Sequence, residues 1–268
     1  MDVGMDLEAL FKVMGRLVGQ GAPGEDAAGP AFHELMKSLL RFDYIVVFAY
    51  RGQERPIDLY STFTAEEHVV FVSMYQAGPY LLDPFYRAAQ QPKPGVWRMR
   101  ELAPDRFFSS EYFRSYYTQT GLAEEIGFFV ALDNGITVVL SLMRREQSGV
   151  FSAAEFALLK KAEPVVAALV RHAWPDLGRR FDLAIAKRGR SGRKAAQPAA
   201  ERVWRDLNLT DREAAIVELV LQGHSSESIG LRLGISTGTV KVHRRNVYRK
   251  LGISSQTQLL SIYLKSLG

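Results

Sequence analysis

One stretch near the C-terminus decides how this end of the chain folds: Leu233-Gly234-Ile235-Ser236-Thr237-Gly238-Thr239-Val240-Lys241-Val242-His243-Arg244-Arg245-Asn246. An apolar helix end precedes a glycine, a short turn follows, and a second helix begins at polar residues and becomes basic. This order is typical of a helix-turn-helix, whose second helix enters the DNA major groove. We therefore expect this end of the chain to bind double-stranded DNA and to regulate transcription.

The second helix of this motif, expected from Thr237 to about Lys250, separates a packed face from a basic face. With a step of about 100° per residue, Val240, Val247 and Leu251 share one side. Arginine and lysine suit guanine edges, and a small apolar group suits the thymine methyl. The opposite side therefore supplies the predicted groove contacts, Lys241, Val242, Arg245 and Arg249. The predicted DNA-binding set is completed by capping or flanking residues: Ser236, Thr239, His243, Arg244 and Asn246.

A last helix is expected from Ser255, with Gln258 closing a capping box. Its apolar residues lie nearly all round, more than a helix at the end of a small domain has room to bury. The surplus predicts contact with a second copy of the chain. A twofold dimer would bind a palindromic DNA site. The candidate dimerisation residues are Leu259, Leu260, Ile262 and Tyr263.

Charge is divided unevenly along the chain, whose net charge is +5. Residues 1–175 contain 17 Lys+Arg and 21 Asp+Glu, a net charge of −4, whereas residues 176–268 contain 17 and 8, a net charge of +9. Because Lys187 to Pro198 has no large apolar residue, it cannot form a core and is expected to be a linker. We predict a sensor domain over 1–175, a basic flexible linker over 176–203 and a helix-turn-helix domain over 204–268.

The C-terminal residues resemble the DNA-binding domain of LuxR-type regulators from about Leu207 to Leu267. The family's motifs stand here as Leu209-Thr210-x-Arg212-Glu213, Gly223-x-Ser225, Leu233-x-Ile235-Ser236, Thr239-Val240-Lys241-x-His243-x-x-Asn246 and Lys250-Leu251-Gly252. The resemblance implies a small four-helix domain. It also implies base or phosphate contacts by Lys241, Val242 and Arg245.

Upstream, helical and strand patterns alternate. Tyr44–Tyr50 and Ile57–Phe63 are rich in branched and aromatic residues, as strands are. Further strands are expected near Val96–Met99 and over Ile126–Leu132 and Ile136–Leu142, the last two joined by an Asp-Asn-Gly hairpin turn. With the surrounding helices, this pattern predicts an α+β fold, an α-β-α sandwich of about five mainly antiparallel strands. Such a sensor is related to PAS and GAF domains.

The predicted sensor also resembles autoinducer-binding domains in part. The matching residues are Tyr75, Asp83-Pro84, Trp97 and Gly121-Leu122, but Phe71 stands where the family has a tryptophan. Because phenylalanine cannot donate a hydrogen bond to a lactone carbonyl, a homoserine lactone is not the expected effector. Two carboxylates among aromatic rings would suit an amine or amide better. The candidate ligand-binding residues are Phe71, Tyr75, Tyr80, Asp83, Trp97 and Glu124; ordinary core packing and helix capping are the alternative for them.

Other functions are less compatible with the sequence. The chain has no cysteine, and its histidines show no metal-ligand or nucleophile spacing, so we expect no catalytic site, metal or cofactor. No acidic pair follows the first strand, and no phosphate-binding loop is present, which excludes a receiver or ATPase input. No apolar run approaches the ~20 residues of a membrane span, so we expect a cytoplasmic protein without a membrane partner. A constitutive regulator with a ligand-free dimerisation or protein-interaction platform remains the alternative to a ligand-responsive homodimer.

Overall fold

The computed structural model describes residues 5–19, 25–91, 93–190, 204 and 207–267. The strands are β1 (Tyr44–Arg51), β2 (Ile57–Ser61), β3 (Gly95–Arg98), β4 (Leu122–Ala131) and β5 (Ile136–Arg145). The helices are α1 (Leu7–Gly19), α2 (Glu25–Leu39), α3 (Ala65–His68), α4 (Pro84–Gln90), α5 (Met99–Leu102), α6 (Ala153–Ala173), α7 (Leu177–Arg190), α8 (Asp211–Leu221), α9 (Ser226–Leu233), α10 (Thr237–Leu251) and α11 (Gln256–Leu267). Within these ranges, no helix is long and apolar enough to cross a membrane.

The strands of the described residues form one antiparallel sheet in the order β2-β1-β5-β4-β3. Asn134 and Gly135 connect β4 to β5 with φ angles of 59° and 67°. Positive φ at both positions matches the twist of a two-residue hairpin, and asparagine and glycine tolerate it best. The predicted hairpin is therefore confirmed.

The main core lies between one face of this sheet and helices α1, α2, α6 and α7. Alternate residues of β1, such as Ile45 and Val47, contribute to it because successive side chains of a strand point to opposite faces. Phe32 of α2 stacks on Trp174 with ring centroids 5.6 Å apart. Together with the helical C-terminal region, this arrangement confirms the predicted α+β fold class.

Helix α7 falls within the predicted linker. Its residues Leu177 and Phe181 are buried in the main core, and the Arg51 guanidinium lies 4.8 Å from the Phe181 ring centroid. The predicted linker over 176–203 therefore begins with a helix, whose apolar residues Leu177 and Phe181 lie one turn apart on the side that faces the core. The remainder of the predicted linker, 191–203, lies outside the described residues.

The chain divides into two compact units that differ from the predicted domains. The first comprises Met1–His68, Ala88–Glu101 and Gly121–Arg193. The second comprises Val69–Arg87, Leu102–Thr120 and Lys194–Gly268. Two segments expected in the sensor therefore belong with the helix-turn-helix.

These two segments contain π-helical turns at Val69–Met74 and Phe113–Tyr117. In the second segment, Phe107 is completely buried and its ring centroid lies 5.3–6.3 Å from those of four neighbouring aromatic residues.

Candidate functional site

The helix-turn-helix is built as its sequence indicates. Ser225 caps α9 by accepting from the Ser228 backbone N–H at 3.1 Å. Gly234 ends α9 in the left-handed region, with φ 66° and ψ 37°. Ser236 then caps α10, its hydroxyl accepting from the Thr239 N–H at 3.0 Å. Glycine allows the sharp turn because residues with a Cβ atom are strained at this φ.

Helix α10 exposes the basic face that its sequence pattern indicates. Val240 and Val247 are completely buried, whereas Lys241, Arg245 and Arg249 are exposed. Val242 lies among them with 45% of its surface exposed. This face therefore presents three cations around one small apolar side chain.

The flanking residues of α10 are partly engaged within the protein. The Arg244 Nη1 group donates to the Ser226 hydroxyl at 3.3 Å, and Arg249 Nη2 donates to Asn246 Oδ1 at 3.2 Å. His243 is half-buried. These contacts hold the polar groups beside the exposed face without occupying Lys241 or Arg245.

Two interactions that the sequence analysis missed brace the motif. Arg212 Nη2 donates to the Leu233 carbonyl at the end of α9, at 2.7 Å. Lys250 Nζ, near the end of α10, donates to Glu213 Oε2 at 2.6 Å. Burial alone would raise the pKa of Glu213, but the hydrogen bonds from Lys250 and Thr210 hold this pKa below its ordinary value. Both interactions join residues distant in sequence, so no local spacing signals them.

The last helix, α11, buries most of the candidate dimerisation residues within the chain. Of the candidate dimerisation residues, Leu259, Leu260 and Tyr263 are buried within the chain and Ile262 is half-buried. The Tyr263 ring stacks on Trp204 with centroids 5.2 Å apart. The compact unit that contains α11 also includes Val69–Arg87 and Leu102–Thr120, so it is larger than the small domain expected from the sequence. In this arrangement the three buried side chains are not available to a second copy.

Among the candidate ligand-binding residues, Asp83 has a clearly shifted pKa. Its Oδ2 accepts from the Tyr75 hydroxyl at 2.6 Å and its Oδ1 accepts from the Phe85 N–H at 2.8 Å, capping α4. Burial raises the pKa of Asp83 to about 6, against the opposing effect of these hydrogen bonds. Tyr80 is buried at 6.2 Å from the Tyr75 ring, and Phe71 is half-buried.

Trp97 and Glu124, the other two candidates, lie in the first compact unit, apart from these four. The Trp97 indole N–H donates to the Lys93 carbonyl at 3.0 Å. Glu124 forms a buried ion pair with Arg98, and its Oε2 accepts from the Phe151 N–H at 2.7 Å. The polar groups of Tyr75, Asp83, Trp97 and Glu124 therefore have hydrogen-bond partners within the protein. No group of three or more potential metal ligands occurs in the described part of the chain.

A segment outside the predicted DNA-binding domain also borders the helix-turn-helix. The Arg106 N–H donates to the Gly223 carbonyl at 2.9 Å, and Asp105 Oδ1 accepts from the Ser225 N–H at 3.0 Å. Nothing in the spacing of Asp105 or Arg106 indicates this contact from sequence. Arg106 becomes a candidate functional residue only through the tertiary structure.

Comparison with known proteins agrees with the C-terminal geometry. Residues 207–263 match the family described as "GerE: Bacterial regulatory proteins, luxR family". The chain is 34% identical over 186 residues to the "Putative HTH-type transcriptional regulator in exeN 3'region" of Aeromonas salmonicida, covering 69% of this chain and 94% of that protein. It is 38% identical over 63 residues to the "Transcriptional activator protein PhzR" of Pseudomonas fluorescens, covering 24% of this chain and 25% of that protein.

Among solved structures, the VqsR LBD domain from Pseudomonas aeruginosa is similar in fold, with a TM-score of 0.52 and 23% identity. The match covers 61% of this chain and 94% of that chain. The family match and the Aeromonas salmonicida relative confirm the resemblance of the C-terminal residues to LuxR-type regulators. The chain belongs to the luxR family of bacterial regulatory proteins.

Proposed function

We propose that this protein is a ligand-responsive transcription regulator that binds a palindromic DNA site as a homodimer. The observation that carries the proposal is the exposed face of α10, where Lys241, Val242 and Arg245 stand beyond the turn at Gly234. A helix entering the major groove needs side chains that reach base edges from a rigid support. The buried face of α10 supplies that support.

Substitution of the exposed cations tests DNA binding. A base contact contributes about 1–3 kcal/mol, and each lost phosphate contact lowers the slope of log affinity against log salt by about 1. We expect Lys241→Ala with Arg245→Ala to abolish preference for the selected site and to reduce this slope. The matched control is Lys265→Ala, an exposed lysine of α11. Fluorescence anisotropy on a site selected with the full chain measures both quantities; unchanged affinity and slope in the double variant would refute the proposal.

We assign dimerisation to α6, since three apolar residues of α11 are buried within the chain. Exposed small or apolar residues recur along α6 at Ala157, Pro164, Val165 and Ala168. A charge placed in an apolar contact is left without a partner and separates the copies. We expect Val165→Glu to convert the dimer to a monomer in light scattering, whereas Leu231→Glu, at an 81% exposed position of α9, leaves the mass unchanged.

The effector is proposed to be an amine or amide rather than a homoserine lactone. With a pKa of about 6, the Asp83 carboxyl is mainly ionised at neutral pH and accepts hydrogen bonds from N–H donors. Phe71 supplies no donor for a lactone carbonyl. Native mass spectrometry of protein purified from its host, repeated with Asp83→Asn, tests this assignment. A co-purified compound that is retained by the variant would contradict the role of Asp83.

A constitutive regulator is the second candidate function. It is favoured by the partners that Asp83, Trp97 and Glu124 already have within the chain, because the single Trp97 N–H would have to leave the Lys93 carbonyl to bind a ligand. In this case no small molecule co-purifies, and DNA affinity is the same for protein from the host and for protein refolded from denaturant. A change in affinity after refolding that a host extract restores would favour the ligand-responsive function instead.

A further inference from the structure

A cleft of about 450 Å³ opens beside the first turns of α10. Residues from both helices of the helix-turn-helix line it, together with Arg106 and Ser109 from the segment Leu102–Thr120. All of these residues belong to the second compact unit. The cleft is thus shared between the DNA-binding motif and a segment that the family match over 207–263 does not include.

The backbone fixes Arg106 beside the motif. Its N–H donates to the Gly223 carbonyl, and the neighbouring Asp105 carboxylate accepts from the Ser225 N–H. A Cβ atom on Gly223 would lie 2.6 Å from the Phe107 Cα, so only glycine permits this approach. The segment Leu102–Thr120 is thus in direct contact with the residues before α9, and this contact fixes the backbone position of Arg106.

The cleft is strongly basic. Arg106, Lys241 and Arg244 line it against one carboxylate, that of Glu227. In the described part of the chain, no carboxylate lies within 4.0 Å of the charged nitrogens of these three cations. Uncompensated cations that converge on one concave surface attract an anion.

Hydroxyl groups complete the lining of the cleft, from Ser110, Ser225, Ser226 and Thr237; the Ser109 hydroxyl also lines it but donates to the Arg106 carbonyl at 3.1 Å. Guanidinium and ammonium groups with hydroxyl donors form the usual donor set for phosphate oxygens. His224 also lines the cleft, and burial, with Arg232 and Arg87, lowers the pKa of this histidine to about 4. At neutral pH it is therefore uncharged, and arginine and lysine supply the positive charge.

We propose that this cleft binds a phosphate group and that Arg106, a residue outside the helix-turn-helix, is one of its ligands. The phosphate belongs either to the DNA backbone or to a free phosphorylated small molecule. The first source rests on the proposed DNA binding by α10, and the second does not. Arg106 would act with Lys241 and Arg244 on a phosphate and carry no sequence information.

DNA binding by Arg106→Ala tests the first source. Losing one phosphate contact lowers the slope of log affinity against log salt by about 0.9, which corresponds to about 5-fold weaker binding at 0.15 M salt. We expect this loss equally on selected and unrelated DNA. Arg114→Ala is the matched control, because Arg114 is an exposed arginine of the same segment that does not line the cleft. Glu227→Gln removes the opposing carboxylate and is expected to strengthen binding to both DNAs.

Calorimetric titration of the full chain with inorganic phosphate and with AMP, without DNA, tests the second source. Binding that Arg106→Ala abolishes and Arg114→Ala preserves supports a free phosphorylated ligand. Weaker DNA binding by Arg106→Ala without phosphate or AMP binding supports the DNA backbone. The proposal is overturned if Arg106→Ala changes neither measurement, or if it strengthens DNA binding, since the segment would then compete with DNA.

The Lys241→Ala and Arg245→Ala variant separates this inference from the proposed function. Suppose that this double variant loses DNA binding, whereas Arg106→Ala keeps the wild-type DNA affinity, salt dependence and response to phosphate and AMP. In that case only the phosphate inference fails. If DNA binding is normal in both variants, the proposed function fails as well. Circular dichroism of each variant confirms that the chain remains folded.

Discussion

Arg98 and Glu124 form a buried ion pair, although the sequence pattern predicts that Glu124 contacts a ligand. In the structure, Arg98 is 4% and Glu124 8% exposed. Arg98 Nη2 also donates to the carbonyls of Phe151 and Ser152 at 3.0 and 3.1 Å, and its guanidinium lies 4.5 Å from the Phe156 ring centroid. The pair therefore ties β3 and β4 to the start of α6.

Removing one partner leaves the other charge buried, and this costs about 3–5 kcal/mol. We expect Arg98→Met to lose about that much free energy of unfolding, because Glu124 Oε1 and the carbonyls of Phe151 and Ser152 then lack the Arg98 donors, while Oε2 keeps the Phe151 N–H. Replacing both residues, as Arg98→Met with Glu124→Leu, should cost clearly less than the sum of the single losses. A double-mutant cycle isolates this difference.

Urea denaturation followed by tryptophan fluorescence measures these losses, since Trp97 and Trp174 lie in the same compact unit as the pair. Arg100→Met is the control, because Arg100 Nε lies 3.9 Å from Glu124 Oε1 but its side chain is 58% exposed. Exposed ion pairs contribute about 0–1 kcal/mol, so this variant should lose little stability. A loss below about 1 kcal/mol for Arg98→Met, or additive single losses, would refute the reasoning. Glu124→Gln that weakens effector binding without loss of stability would restore Glu124 as a ligand contact.

Three further predictions concern single residues. Burial raises the pKa of Asp83 from 3.8 to about 6, so the stability that this carboxyl contributes is present below about pH 4 and is lost as pH rises through 6. In urea titrations, the free energy of unfolding of Asp83→Asn should therefore rise relative to that of the wild type by up to about 3 kcal/mol between pH 4 and 7. A difference that does not depend on pH would contradict this. Burial, followed by the charges of Arg232 and Arg87, lowers the pKa of His224 to about 4, so the folded state loses stability as pH falls from 6.5 towards 4. In thermal unfolding at a series of pH values, the melting temperature of His224→Gln should fall less steeply over this range than that of the wild type. An equally steep fall in the variant would contradict this. Gly234→Ala, at φ 66°, should lower the free energy of unfolding by about 1 kcal/mol in urea; an unchanged midpoint would show that the turn tolerates a side chain.

Features that depend on neighbours within one or two turns could be predicted from the sequence. Ser255 and Gln258 form the expected capping box, Asn134 and Gly135 form the expected hairpin turn, and the buried valines of α10 leave the basic face exposed. Each follows from helical or strand periodicity and from residue-specific backbone preferences, which a short window of sequence contains.

The tertiary structure alone decided which distant segments meet. It placed Leu177 and Phe181 in the core instead of a linker, buried Leu259 and Tyr263 within one chain, and brought Arg106 to the basic cleft. These outcomes depend on how apolar and charged surfaces from separate parts of the chain complement one another. Periodicity shows which face of a helix is to be buried, but the partner of that face is determined by packing across the whole molecule.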